Sequence, residues 1–117
     1  MNAEWIREYC LRKNAATESL PFGEDTLVFK VNDKIFCLLS LDQQPPRINV
    51  KCNPELAHEL REQHSFVIPG YHMNKKHWNT IVCEEFVSEK LVKEWIDHSY
   101  DLITKRSNGK LKVPRKN

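Results

Sequence analysis

Glycine is scarce in this chain: Gly23, Gly70 and Gly109 are the only three in 117 residues, too few and too scattered to build a glycine-rich phosphate loop. Long apolar runs are missing as well. The longest, Ile35-Phe36-Cys37-Leu38-Leu39, falls far short of the ~20 residues that a bilayer-crossing helix requires, so no membrane span is expected. Residues 1 to 8 have neither the basic start nor the apolar stretch of a secretory leader, which points to a cytoplasmic protein. Cys10, Cys37, Cys52 and Cys83 are widely separated, with no Cys-x-x-Cys pair and no tight disulfide spacing. They are expected to be free thiols that behave as small buried hydrophobes. The adjacent acids Glu24-Asp25 and Glu84-Glu85 point to opposite sides of an extended chain and make no acid/base dyad. His72, His77 and Cys83 lack a metal-binding signature. No residue set reads as catalytic, and the expectation is a non-enzymatic protein with no cofactor and no metal.

Charge is present in quantity but unevenly placed. Residues 104 to 117 hold six of the 18 lysines and arginines (Lys105, Arg106, Lys110, Lys112, Arg115 and Lys116) and no acid, leaving 12 basic against 16 acidic residues before them, a net of −4. Attraction to phosphate must therefore come from local clusters or from the tail. The expected organisation is one domain over 1–103 and a basic, flexible C-terminal tail over 104–117.

Apolar residues at Trp5, Ile6, Tyr9 and Cys10 predict a helix over 3–13 with Asn2 as N-cap. The link 14–23, with Pro21 and Gly23, reads as irregular. Thr26 to Val31 and Lys34 to Ser40 predict a hairpin closed by Asn32-Asp33, a dipeptide that tolerates positive φ. Arg47 to Cys52 alternates strictly, placing Arg47, Asn49 and Lys51 on one face and Ile48, Val50 and Cys52 on the other. Asn53-Pro54 starts a second helix to about residue 63, and Ser88 caps a third whose stripe includes Leu91, Val92, Trp95, Ile96, Ser99, Leu102 and Ile103. Ser65 to Ile68 and His77 to Cys83 read as short strands. The expectation is an α+β domain, an antiparallel sheet of about five strands packed with helices in the order α-β-β-β-α-β-β-α.

Four strings in this order are similar to those of a known family: Pro21-Phe22-Gly23, Lys34-Ile35-Phe36, Lys51-Cys52-Asn53-Pro54-Glu55-Leu56, and Pro69-Gly70-Tyr71-His72-Met73-Asn74-Lys75-Lys76-His77-Trp78-Asn79. Through them, over about residues 3 to 103, the chain resembles the MmcQ/YjbR family of small bacterial proteins. The resemblance implies a CyaY-like (frataxin-like) fold and a DNA-binding annotation. Where the family pattern usually has glycine, this chain has Asn32-Asp33 and Glu84-Glu85.

The richest candidate site is 69–79, where Tyr71, His72, Lys75, Lys76, His77 and Trp78 mix cations with stacking rings and include no acid. The blander reading is a solvated turn with Trp78 in the core. Lys30, Arg47 and Lys51 are candidates for a phosphate-binding patch on the polar side of the sheet, against the plainer reading of an ordinary wet sheet face. Cys52, just before a helix N-terminus, is a place where a thiol pKa can fall, but its strand parity says buried. The expected function is DNA binding through the basic-aromatic loop and the sheet face by Lys30, Arg47, Lys51, Tyr71, His72, Lys75, Lys76 and His77. The alternative is a protein-interaction or chaperone-like module. The expected partners are DNA or another protein, with no membrane and a monomeric state.

Overall fold

The helix starts are written into the local sequence. In a computed structural model, which describes residues 1–70 and 73–104, the Asn2 side chain accepts from Trp5 N–H at 2.9 Å and opens helix α1, Ala3–Leu11. The Asn53 side chain accepts from Glu55 and Leu56 N–H, with Pro54 in the first turn, and opens α2, Pro54–Gln63. The Ser88 hydroxyl accepts from Lys90 and Leu91 N–H at the start of α3, Glu89–Thr104.

The strands are β1 Thr17–Ser19, β2 Thr26–Val31, β3 Lys34–Ser40, β4 Arg47–Lys51, β5 Val67–Pro69 and β6 Trp78–Val82. They form one antiparallel sheet of six strands in the order β1-β2-β3-β4-β6-β5. Asn32 and Asp33 close the β2–β3 hairpin at φ 53 and 62, the left-handed pair that a two-residue turn demands. The expectation of about five strands is corrected by β1. Thr17-Glu18-Ser19 has no apolar alternation to signal it, because it is an edge strand held by pairing with β2 and by the Arg7 guanidinium on Glu18, at 2.7 Å.

All three helices pack on one face. Ile6 and Cys10 of α1, Leu56, Ala57 and Leu60 of α2, and Val92, Trp95, Ile96, Tyr100 and Ile103 of α3 join one core with the inward side chains of the sheet, among them Leu27, Phe29, Leu39, Ile48, Val50 and Ile81. Trp95 lies against His64 and Phe66 with ring centroids 5.5 and 6.2 Å away. The four cysteines are buried free thiols. Burial, with Cys10 alongside, pushes the Cys37 thiol well up.

Away from the helices, register aligns Ser19, Val28, Leu38, Asn49, Thr80 and Ile68 in a single row across the sheet. This face is not uniformly polar, since Val28, Leu38 and Thr80 within it are buried. Among the described residues no helix is long and apolar enough to cross a membrane. The tail expected over 104–117 lies outside the described residues except for Thr104, the last residue of α3.

Candidate functional site

The segment joining β5 to β6 is pinned at both ends. Gly70 N–H donates to Trp78 O at 2.9 Å, and the backbones come so close that a Cβ on Gly70 would stand 2.9 Å from Trp78 Cβ and 3.0 Å from its carbonyl oxygen. That approach is why glycine follows Pro69. On the return side, Asn74 O accepts from the N–H groups of His77 and Trp78, and the Asn74 side chain accepts from Lys76 N–H at 2.9 Å. His77 O accepts from Cys52 N–H at 2.7 Å, tying the segment to the end of β4.

A residue that the sequence pattern does not single out fastens it from the helix side. Arg61, in the last turn of α2, donates through Nε to the Asn79 side-chain oxygen at 2.9 Å and through Nη2 to Lys75 O at 2.5 Å. Asn79 is buried, and its amide reaches Ala57 O at 3.4 Å. The only signal in the sequence is a basic residue near the end of a helix, which the dipole alone explains. The consequence is that Lys75 and Lys76 are exposed from a backbone held at several points.

Of the proposed phosphate ligands, Lys51 is directly opposite Trp78 on β4 and β6, so it borders this segment. Trp78 shares the outer face with Lys51 and does not enter the helix-packed core. Lys30, opposite Thr17 and Ile35, lies at the same end of the sheet but two strands away from β4, about 10 Å across. Lys34, at the hairpin tip, pairs with the core residue Val31 and so starts from the helix side of the sheet. Arg47 is set apart: it pairs with Val82, four residues and about 13 Å along β4 from Lys51, at the opposite end. His77 is half-buried, and Tyr71 and His72 lie outside the described residues. Among the described residues none of Lys30, Lys34, Lys51, Lys75 and Lys76 forms an ion pair. The acids Glu55, Glu59 and Glu62 belong to α2, on the helix side.

Beneath this end, Cys52 and His98 border a cavity of about 10 Å³ with Val50, Leu60, Asn79, Ile81 and Trp95, room for at most about one water. Burial pushes the Cys52 thiol up to about 12, with Arg61 opposing weakly, so the helix dipole does not make it a thiolate. His98 Nε2 accepts from Asn53 N–H at 3.1 Å, and burial lowers its pKa. Both groups are built into the body, and the cavity has no carboxylate. No group of three or more metal-ligating side chains is present among the described residues.

The opposite end of the sheet differs in kind. It bears Glu24, Asp25, Asp42, Glu84 and Glu85 in the connections, and among the described residues the exposed large apolar side chains, Leu20, Phe22, Leu41 and Phe86, lie there.

Comparison with known proteins matches the fold and identifies the family. The family model described as YjbR matches residues 11–102. The uncharacterised protein YjbR of Escherichia coli K12 is 32% identical over 100 residues, 86% of this chain and 85% of that protein. YbdF of Escherichia coli O157:H7, also described as uncharacterised, is 40% identical over 83 residues, 71% of this chain and 68% of that one. Among solved structures, a Deinococcus radiodurans protein with a DUF419 domain superposes with a TM-score of 0.85 at 36% identity, covering 91% of this chain and 80% of the other. A Pseudomonas syringae protein gives 0.76 at 28% identity, covering 88% and 99%.

Proposed function

The chain belongs to the YjbR family, and for this member we propose a non-enzymatic nucleic-acid-binding role centred on the 73–78 segment and the adjoining outer end of the sheet. One observation carries the reading: Lys75 and Lys76 project from a backbone fixed by Arg61, Asn74 and Gly70, next to Lys51 and with Lys30 and Lys34 on the neighbouring hairpin. Pre-placed cations facing water are what a phosphate backbone rewards, because each phosphate they neutralise releases condensed counterions. Lys51, Lys75 and Lys76 bind phosphates, His77 and Trp78 supply ring surface at the margin, and Tyr71 and His72 belong to the same segment. Such interactions position a duplex and do not read its sequence. A CyaY-like relationship and a cytoplasmic setting, where free thiols persist, complete the proposal.

The test is a salt titration of duplex DNA binding by the full chain. Lys75→Ala with Lys76→Ala is expected to reduce the magnitude of the slope of log affinity against log salt by about 0.9 for each phosphate no longer neutralised. Arg47→Ala, at the far end, leaves the slope unchanged. If the full chain binds neither DNA nor RNA at low salt, the reading fails. The exposed Phe22, Leu41 and Phe86 then make the acidic end the working surface of a protein-interaction module.

A further inference from the structure

The acidic end contains a groove of about 490 Å³ where Met1, Pro45 and Phe86 stand beside Gln44, Glu84 and Glu85. Phe86 is 73% exposed although it packs edge-on against Phe66, so its ring is open to a further apolar group. Through Met1 and Glu85 the groove runs on into a second hollow of about 400 Å³ bordered by Trp5, Glu4 and Glu8. A fitting occupant has apolar side chains on one side and cations on the other. Residues 110–116, Lys-Leu-Lys-Val-Pro-Arg-Lys, have that pattern: in an extended strand Leu111 and Val113 share a face while Lys110 and Lys112 share the reverse.

We propose that this groove is the docking site of the chain's own C-terminal segment, with Leu111 and Val113 against Pro45 and Phe86 and the lysines against Glu84 and Glu85. The geometry permits it within one molecule. The groove lies at the start of α3, and the helix carries Thr104 about 24 Å from it over 16 residues. Leu111 and Val113 stand seven and nine residues beyond Thr104, a reach of at most about 25 and 32 Å when extended, which just spans that distance. Tethering makes the encounter intramolecular, so modest interactions suffice. Docking occupies cations that would otherwise face phosphate. That last consequence rests on the nucleic-acid reading; the docking itself does not.

Zero-length carbodiimide cross-linking of the full chain at low salt, with the linked residues mapped by mass spectrometry, tests the proposal without any nucleic acid. Links from Lys110, Lys112 or Lys116 to Glu84, Glu85 or Glu4 are expected in the monomer band, and they are expected to disappear on adding salt to 1 M, where screening reaches about 3 Å. Leu111→Ser with Val113→Ser, which leaves the described body untouched, is expected to abolish them, as is Phe86→Ala. The proposal is overturned if tail lysines link as often to Glu55, Glu59 and Glu62, if the links occur only between molecules, if no links form, or if the two serines leave them intact.

Discussion

The two ends of the sheet are built from the same strands and bear different side chains. At one end the chain turns through Asn32-Asp33 and through the segment before Trp78, and the residues placed there are Lys30, Lys34, Lys51, Lys75 and Lys76, on a backbone held by Gly70, Asn74 and Arg61. At the other end stand Glu24, Asp25, Asp42, Glu84 and Glu85 with the exposed Phe22, Leu41 and Phe86. Antiparallel pairing produces this separation, because residues distant in sequence share an end whenever they flank the same row of turns. A body that is net acidic therefore gathers five lysines at one end, with Asp33 at the hairpin tip among them, and a total charge does not reveal it.

A rigid sheet keeps the two ends apart, so the largest expected effect comes from removing its support. Trp95 is buried against His64, Phe66 and the cavity by Cys52. Trp95→Ala is expected to cost about 3–5 kcal/mol in chemical denaturation. An unchanged midpoint would mean that the last helix does not anchor the sheet.

Next come changes that loosen one end only. Gly70→Ala forces a Cβ to within 2.9 Å of Trp78 Cβ and is expected to cost about 1–3 kcal/mol, since the Trp78 backbone beside it cannot step aside. Arg61→Ala leaves the buried Asn79 oxygen and Lys75 O without that donor, a loss of about 1–3 kcal/mol. Both should raise amide exchange in residues 73–78 and leave residues 84–86 as they were. Equal exchange at both ends would break the contrast.

A smaller effect is expected from pH. His98 accepts a hydrogen bond through a neutral nitrogen, and burial, opposed by Asp101, lowers its pKa below 6.5. The unfolded chain takes up the proton more readily, so the contribution of His98 is complete above about 6.5 and is lost as pH falls through the lower folded-state value. His98→Gln is expected to flatten the fall in stability on the acid side of about pH 6.5. A profile as steep as that of the native chain would assign the acid sensitivity elsewhere.

The smallest effect is expected at the acidic end. Glu84→Gln with Glu85→Gln alters groove side chains that form no ion pair among the described residues, and stability is expected to change by no more than about 0.5 kcal/mol. A large loss would show that these acids hold the fold and do not merely mark its surface.

Local chemistry makes much of the fold readable in the sequence. Asn2, Asn53-Pro54 and Ser88 start helices where their side chains cap them, Asn32-Asp33 turns where positive φ is tolerated, and the parity of Arg47 to Cys52 assigns the faces of β4 and the burial of Cys52. These outcomes depend on neighbours a few residues away, which the sequence states directly. The basic-aromatic segment is visible for the same reason. Tertiary structure alone decided that Thr17–Ser19 is a strand, because an edge strand needs only a partner. It alone placed Lys30 at the Lys51 end of the sheet and away from Arg47, since strand order and register are long-range facts. It also turned Arg61 inward onto Asn79 and Lys75, a use of a guanidinium that no periodicity encodes, because its acceptors lie 18 and 14 residues away in the chain.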